Sequence, residues 1–119
     1  WRRQAGASAS KRLGERRAVK VISLKGEGSA QTSLLKVARQ EAHVWRAVGK
    51  NPHVVQLYEA MMDKSLYYMV MEKCDVSLMD QLQAAPRLGM QGVSRIVHEM
   101  LLGVAHVHSK RIVHRDIKP

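Results

Sequence analysis

His114-Arg115-Asp116-Ile117-Lys118-Pro119 stands at the end of this 119-residue chain, directly after the apolar pair Ile112-Val113. The bland reading of such a run is a basic surface turn following a strand. The order of its groups is more particular than a turn demands, with imidazole, guanidinium and carboxylate side by side and an ammonium two residues on. Short matches of this kind arise by chance, so the preceding residues must decide between a motif and a turn.

A chain of 119 residues fits one ordinary domain. It opens on Trp1 and stops on the run itself, which reads as a fragment. Hydrophobic residues at 45% and charged residues at 25% are near globular averages, so a packed core is expected and wholesale disorder is not. Aromatics are scarce, with no Phe, and seven Met residues are available to fill the gaps. The formal net charge of +10 favours acidic partners, whether nucleotide phosphates, nucleic acid or an anionic membrane. Much of it is local, since Arg2, Arg3, Lys11, Arg12, Arg16, Arg17 and Lys20 fall in the first twenty residues. That stretch lacks the interleaved aromatics of a nucleic-acid-binding surface, which argues for a solvated loop. One cysteine, Cys74, excludes an internal disulfide framework and suits a reducing compartment, so an intracellular, cytoplasmic setting is expected. No run reaches the roughly 18 apolar residues needed to span a bilayer, and no signal peptide is visible.

Arg17-Ala18-Val19-Lys20-Val21-Ile22 is rich in β-branched residues and predicts a strand. Alternation sets Ala18, Lys20 and Ile22 on one face, so Lys20 lies among apolar neighbours where an ammonium needs a partner. A linker over 25–33 follows, with Thr32 or Ser33 as candidate cap for a helix from Leu34. Leu34, Val37, Glu41, Val44, Trp45 and Val48 share one helical face. Glu41 is a carboxylate inside that apolar stripe, and burying it unpaired costs about 3–5 kcal/mol. Lys20 is its natural partner. The helix ends near Gly49, with Asn51-Pro52 as breaker. The stretches 53–58 and 66–71 predict two strands in an antiparallel hairpin joined through 61–65. Lys73-Cys74-Asp75-Val76-Ser77 reads as a connector, and residues 78–83 as a short helix broken by Pro86. Residues 91–108 give the cleanest helix, with Val93, Ile96, Val97, Met100, Leu101, Val104 and Val107 as a core-facing stripe. A polar turn at Ser109-Lys110-Arg111 then leads to the closing run.

Set in order, these stations resemble the eukaryotic protein kinase family, serine/threonine type. Ala18-Val19-Lys20 on a strand and Glu41 on the next helix are 41 − 20 = 21 residues apart, which is compatible with kinase spacing. The stretch Asn51 to Tyr58 is similar to the family's strand after that helix. His114-Arg115-Asp116 with Ile117, Lys118 and Pro119 resembles the catalytic loop H-R-D-L-x-x-x-N. The resemblance runs from about residue 16 onward and implies an α+β, protein-kinase-like fold: an antiparallel small-lobe sheet with one helix, plus the first helices of the large lobe. It places an incomplete small lobe over 1–72, and the hinge and start of the large lobe over 73–119. It implies ATP as cofactor, with Mg2+, and a protein hydroxyl as substrate. Lys20 would hold the α- and β-phosphates and be positioned by Glu41, while Asp116 would orient the hydroxyl and accept its proton. Lys118 would neutralise charge on the transferring γ-phosphoryl. Phosphoryl transfer is mainly positioning and electrostatics, which suits fixed cations and one aimed carboxylate. Glu72 and Cys74 would bind adenine through their backbone, Met71 would guard the pocket behind them, and Ala18 would cover the ring. Arg115 would answer a phosphate on an activation segment, and His114 would pack beneath, forming a stack with Trp45 and Leu57. Lys-Pro after Asp116-Ile117 is similar to the serine/threonine group.

The family's G-x-G-x-x-G does not precede Lys20, and neither the Asn nor the D-F-G aspartate that hold the metal ions follows Asp116 within these 119 residues. The 119 residues alone are therefore expected not to transfer phosphate. Two other function classes stand beside the kinase reading. One is a pseudokinase or interaction scaffold on the same fold, opposed by the presence of Lys20, Glu41 and Asp116 together. The other is a basic nucleic-acid-binding module, which rests on net charge alone. The six histidines are scattered over separate elements, and His106 and His108 diverge on one helix, so no metal site is expected from them.

Overall fold

A computed structural model describes residues 16–26, 28–84 and 89–117. The expectations for residues 1–15, Pro86 and Lys118 lie outside these. The element order is β1 (Arg17–Ser23), α1 (Ser29–Val48), β2 (Leu57–Asp63), β3 (Leu66–Glu72), α2 (Leu78–Ala84) and α3 (Met90–Ser109). The strands form one antiparallel sheet in the order β1-β3-β2. This is the α+β arrangement the sequence implies.

Register explains which face is buried. Residues directly opposite in an antiparallel pair share a face, and Ala18, Lys20 and Ile22 stand opposite Met71, Met69 and Tyr67. Across β3, Met69 and Tyr67 stand opposite Ala60 and Met62. Tyr67, Met69, Leu57 and Leu24 are buried there against Ala38 and Ala42 of α1, with Ile22, Leu35, Trp45, Ala60 and Met71 packed around them. Two alanines on the inner face let the helix backbone approach the sheet. Val19 and Val21 point to the other face and stay half-exposed.

The structure departs from expectation at several boundaries. Helix α1 begins five residues before Leu34, and neither Thr32 nor Ser33 caps it. Their hydroxyls instead donate back to the carbonyls of Gly28 and Ser29 at 3.3 and 2.9 Å, a bond open to Ser and Thr inside a helix. The inner face of α1 is also rotated from the stripe of large apolar residues: Ala38 and Ala42 are buried while Val37 is 67% exposed. The pattern of bulky side chains misses an interface made of small ones. Residues 53–56 are not strand. Strand β2 starts at Leu57 and runs through Met61, Met62 and Asp63, so the hairpin turns on Lys64-Ser65 alone.

Ser77 caps helix α2: Asp80 N–H donates to Ser77 Oγ at 3.1 Å, and the Ser77 hydroxyl donates to Asp80 Oδ2 at 2.6 Å. Along α3 the expected apolar stripe is largely exposed, at Val93, Val97, Met100 and Leu101. Only Gly103 and Val107 are buried, because what packs on this helix reaches its C-terminal half alone. There Gly103 meets the His53 carbonyl and His106 Nε2 donates to the Val48 carbonyl oxygen at 2.8 Å.

Candidate active site

Lys20 and Glu41 are brought together as their spacing predicts. The Lys20 ammonium bridges both oxygens of Glu41, at 2.7 Å to Oε1 and 2.9 Å to Oε2. The strand sets Lys20 on the helix-facing side of the sheet, and the helix presents Glu41 toward it. The pair is not buried, however, contrary to what the apolar neighbours of Lys20 and Glu41 suggest. The two side chains are 46% and 40% exposed, so water screens the pair and its own contribution to stability is at most about 1 kcal/mol. The half-open ammonium is also one that an incoming anion can reach.

Around β1 and the end of β3, Ala18 and Met71 stand opposite each other on the Lys20 face, both partly buried. Glu72 ends β3, its N–H donating to the Gln56 carbonyl at 2.9 Å while its Oε2 accepts from Gln56 N–H at 3.3 Å. Cys74 follows on an exposed connector that belongs to no helix or strand. These backbone positions lie one and three residues beyond Met71.

The segment after α3 leaves the helix through Arg111, whose φ of +59° and N–H bond to the His108 carbonyl close the last turn. Residues 112–117 are irregular. Arg115 takes a φ of +64°, a left-handed conformation that costs a side-chain-bearing residue about 1–3 kcal/mol and concentrates at functional sites. The Asp116 N–H donates to His114 Nδ1 at 3.3 Å, tying the two residues into a short local turn. His114 is exposed, which corrects the expectation that it packs in the core beneath. Trp45 packs against the core cluster that includes Leu57, and Trp45 Nε1 donates to the Val55 carbonyl at 2.8 Å. His114 is not among the residues of that core.

Comparison with known families places the chain. The model of the protein kinase domain matches residues 7–119. The chain belongs to the protein kinase family. CBL-interacting protein kinase 20 of Oryza sativa subsp. japonica is 37% identical over 108 residues, covering 89% of this chain and 23% of the relative. CBL-interacting protein kinase 9 of the same organism is 42% identical over 71 residues, covering 59% and 16%. Hormonally up-regulated neu tumor-associated kinase homolog B of Xenopus laevis is 32% identical over 106 residues, covering 88% and 17%. This kinase chain thus spans less than a quarter of the length of the curated relatives it matches.

Three contacts of the kinase chain were not foreseen. Gly103 and His106 dock α3 onto the segment after α1, yet in sequence Gly103 is one small residue in a helix and His106 one of several scattered histidines. Near them Glu99 is held below the ordinary carboxylate value, first by its hydrogen bond from Arg95 at 3.3 Å and also by the charge of His53. The third is the Arg17 guanidinium, stacked 4.0 Å from the centre of the Tyr58 ring. Among the described residues no three His, Cys, Asp or Glu side chains converge as a metal site, and no helix is long and apolar enough to cross a membrane.

Proposed function

We propose that this chain is the nucleotide-handling part of a serine/threonine protein kinase, which transfers the γ-phosphoryl of ATP to a protein hydroxyl. The observation that carries the reading is the Lys20–Glu41 pair, an ammonium held by both carboxylate oxygens on the helix-facing side of the sheet. A fixed but solvent-reachable cation suits the α- and β-phosphates of a nucleotide, to which charge-assisted bonds are strong. Residues 1–72 form the small-lobe portion in this reading, and 73–119 form the hinge and the start of the large lobe. Ala18 and Met71 border the adenine, and the backbone of Glu72 and Cys74 offers it hydrogen bonds. Asp116 takes the proton of the substrate hydroxyl as its oxygen attacks the γ-phosphorus and ADP leaves. Arg115 and Lys118 supply positive charge nearby, the first to a phosphate on an activation segment and the second to the transferring group. His114 supports the segment through its bond from the Asp116 N–H. The family uses Mg2+, but the described residues do not fit it, and no step here is assigned to a metal.

The test is titration of the chain with a fluorescent ATP analogue, alongside Lys20→Met. Loss of one charge-assisted phosphate contact is worth about 1.5–3 kcal/mol, so affinity should fall at least tenfold. The melting temperature should move by only a few degrees, because the exposed ion pair adds so little to stability. Equal affinity in the variant, or no binding by the parent chain, refutes the proposal.

A further inference from the structure

At the end of the sheet where β3 passes into the connector, three strands are tied together by contacts of Arg17, Tyr58 and Gln56, to which the kinase reading gives no role. Strand β2 carries an irregularity there: Leu57 stands opposite Met71 and Glu59 opposite Val70, leaving Tyr58 as the extra residue with no partner on β3. Arg17 starts β1, opposite Glu72. Because β3 lies between β1 and β2, the two side chains start from strands roughly 10 Å apart. The guanidinium nevertheless reaches 4.0 Å from the Tyr58 ring centre. It must cross the last residues of β3 to do so, on the face away from α1. The same end of β3 is fastened to the chain before β2 by the reciprocal bonds of Glu72 and Gln56, at 2.9 and 3.3 Å. Gln56 is itself fixed, its Nε2 donating to the Leu57 carbonyl at 2.7 Å.

We infer that the Arg17–Tyr58 stack is a strap across the end of β3, a positioning pair that sets the backbone of Glu72 to Cys74 for the adenine of a bound nucleotide. The inference rests on the nucleotide reading above. Geometry gives the strap its function: it lies over the one junction where the sheet ends and the connector begins. Among the described residues no hydrogen bond or ion pair holds residues 73–76 before the N-cap of Ser77 on Asp80. A flat ring and a delocalised cation suit this place, since the stack lets the guanidinium stay hydrated at its rim while its face covers the ring. Tyr58 is 44% exposed, so the pair belongs to the weaker, solvent-screened class of such contacts, worth about a two- to fivefold factor in an equilibrium.

The experiment is residue-resolved amide hydrogen exchange on the 119-residue chain, with adenosine titrated by amide chemical shifts, in the parent, Tyr58→Leu, Arg17→Gln and Tyr58→Phe. The Glu72 N–H should exchange about two- to fivefold faster in Tyr58→Leu and Arg17→Gln, and as in the parent in Tyr58→Phe, which keeps the ring. The amides of Val21 and Tyr68, at the far end of the sheet, should be unchanged. Adenosine affinity should fall by the same factor in the first two variants and be retained in the third. Uniform acceleration over the sheet marks the stack as general packing and overturns the inference, as does faster exchange in Tyr58→Phe equal to that in Tyr58→Leu. Adenosine binding at Glu72 to Cys74 that is insensitive to all three variants overturns the positioning role and leaves the nucleotide reading standing. No adenosine response there in the parent chain sinks that reading and the positioning role with it, whatever the exchange rates show.

Discussion

Replacing Gly103 by alanine sets two known effects against each other at one atom. In an ordinary helix interior the change stabilises by about 1 kcal/mol, since alanine loses less backbone freedom than glycine. Here the new Cβ would stand 2.7 Å from the carbonyl oxygen of His53, with that residue's carbonyl carbon and Cβ at 3.6 Å. A carbon needs about 3.3 Å from such an oxygen, so helix and segment must part by roughly 0.6 Å. The obstacle is backbone and cannot swing aside. Moving apart also stretches the bond from His106 Nε2 to the Val48 carbonyl from 2.8 Å toward the limit of a hydrogen bond. Overpacking costs about 1–3 kcal/mol and a weakened hydrogen bond up to about 1 kcal/mol. After the helix gain, the net lies between about 0 and 3 kcal/mol of destabilisation, or a fall of up to about 12 °C in melting temperature. Urea unfolding followed by circular dichroism measures it. Ala105→Gly, on the exposed side of the same helix, calibrates the propensity effect in this host. If Gly103→Ala is stabilised by about 1 kcal/mol, α3 does not dock through Gly103.

Ala42→Leu should destabilise by about 1–3 kcal/mol in the same assay, because Ala42 is fully buried where α1 lies on the sheet and the added carbons have no void to enter. Unchanged stability would show that the helix does not rest on that face. Glu99 carries a pH signature. Its folded-state pKa is depressed, mainly by Arg95, so its stabilising effect is present above the unfolded-state value and is lost as pH falls through the folded one. In Arg95→Gln the Glu99 carboxyl, followed by NMR, should titrate at higher pH than in the parent. An unmoved midpoint would remove Arg95 as the cause.

The strand of Lys20, the helix of Glu41 and the hairpin were legible because each rests on local chemistry: β-branched runs, a 3–4 period and a breaker after Gly49. Pairing of Lys20 with Glu41 was legible too, though for a reason only half right. A carboxylate among large apolar side chains looks buried, yet α1 turns its alanines to the sheet and leaves Glu41 at the margin. Helix α1 starts early because Thr32 and Ser33, good caps in isolation, can equally bond back along a helix already begun. The rotation of α1 and the docking of α3 were illegible for one physical reason. Close approach is made by what residues lack, at Ala38, Ala42 and Gly103, and hydropathy patterns register only what residues have. Residues 53–56 failed as a strand because β-propensity does not reveal whether a neighbouring strand extends far enough to pair.

The sheet order has a consequence for how the site holds together. Strands β2 and β3 are joined by two residues, whereas Ser23 of β1 pairs with Leu66 across 42 intervening residues, 24 to 65. Loop-closure entropy grows with the logarithm of that length, so recruiting β1 costs roughly 2–3 kcal/mol more than closing the hairpin. The strand bearing Lys20 is therefore the one the chain pays most to bring in, and among the described strands it pairs along one side only. The proposed phosphate contact sits on that strand. A ligand that bridges Lys20 to the connector would tie the most distant strand to the hairpin.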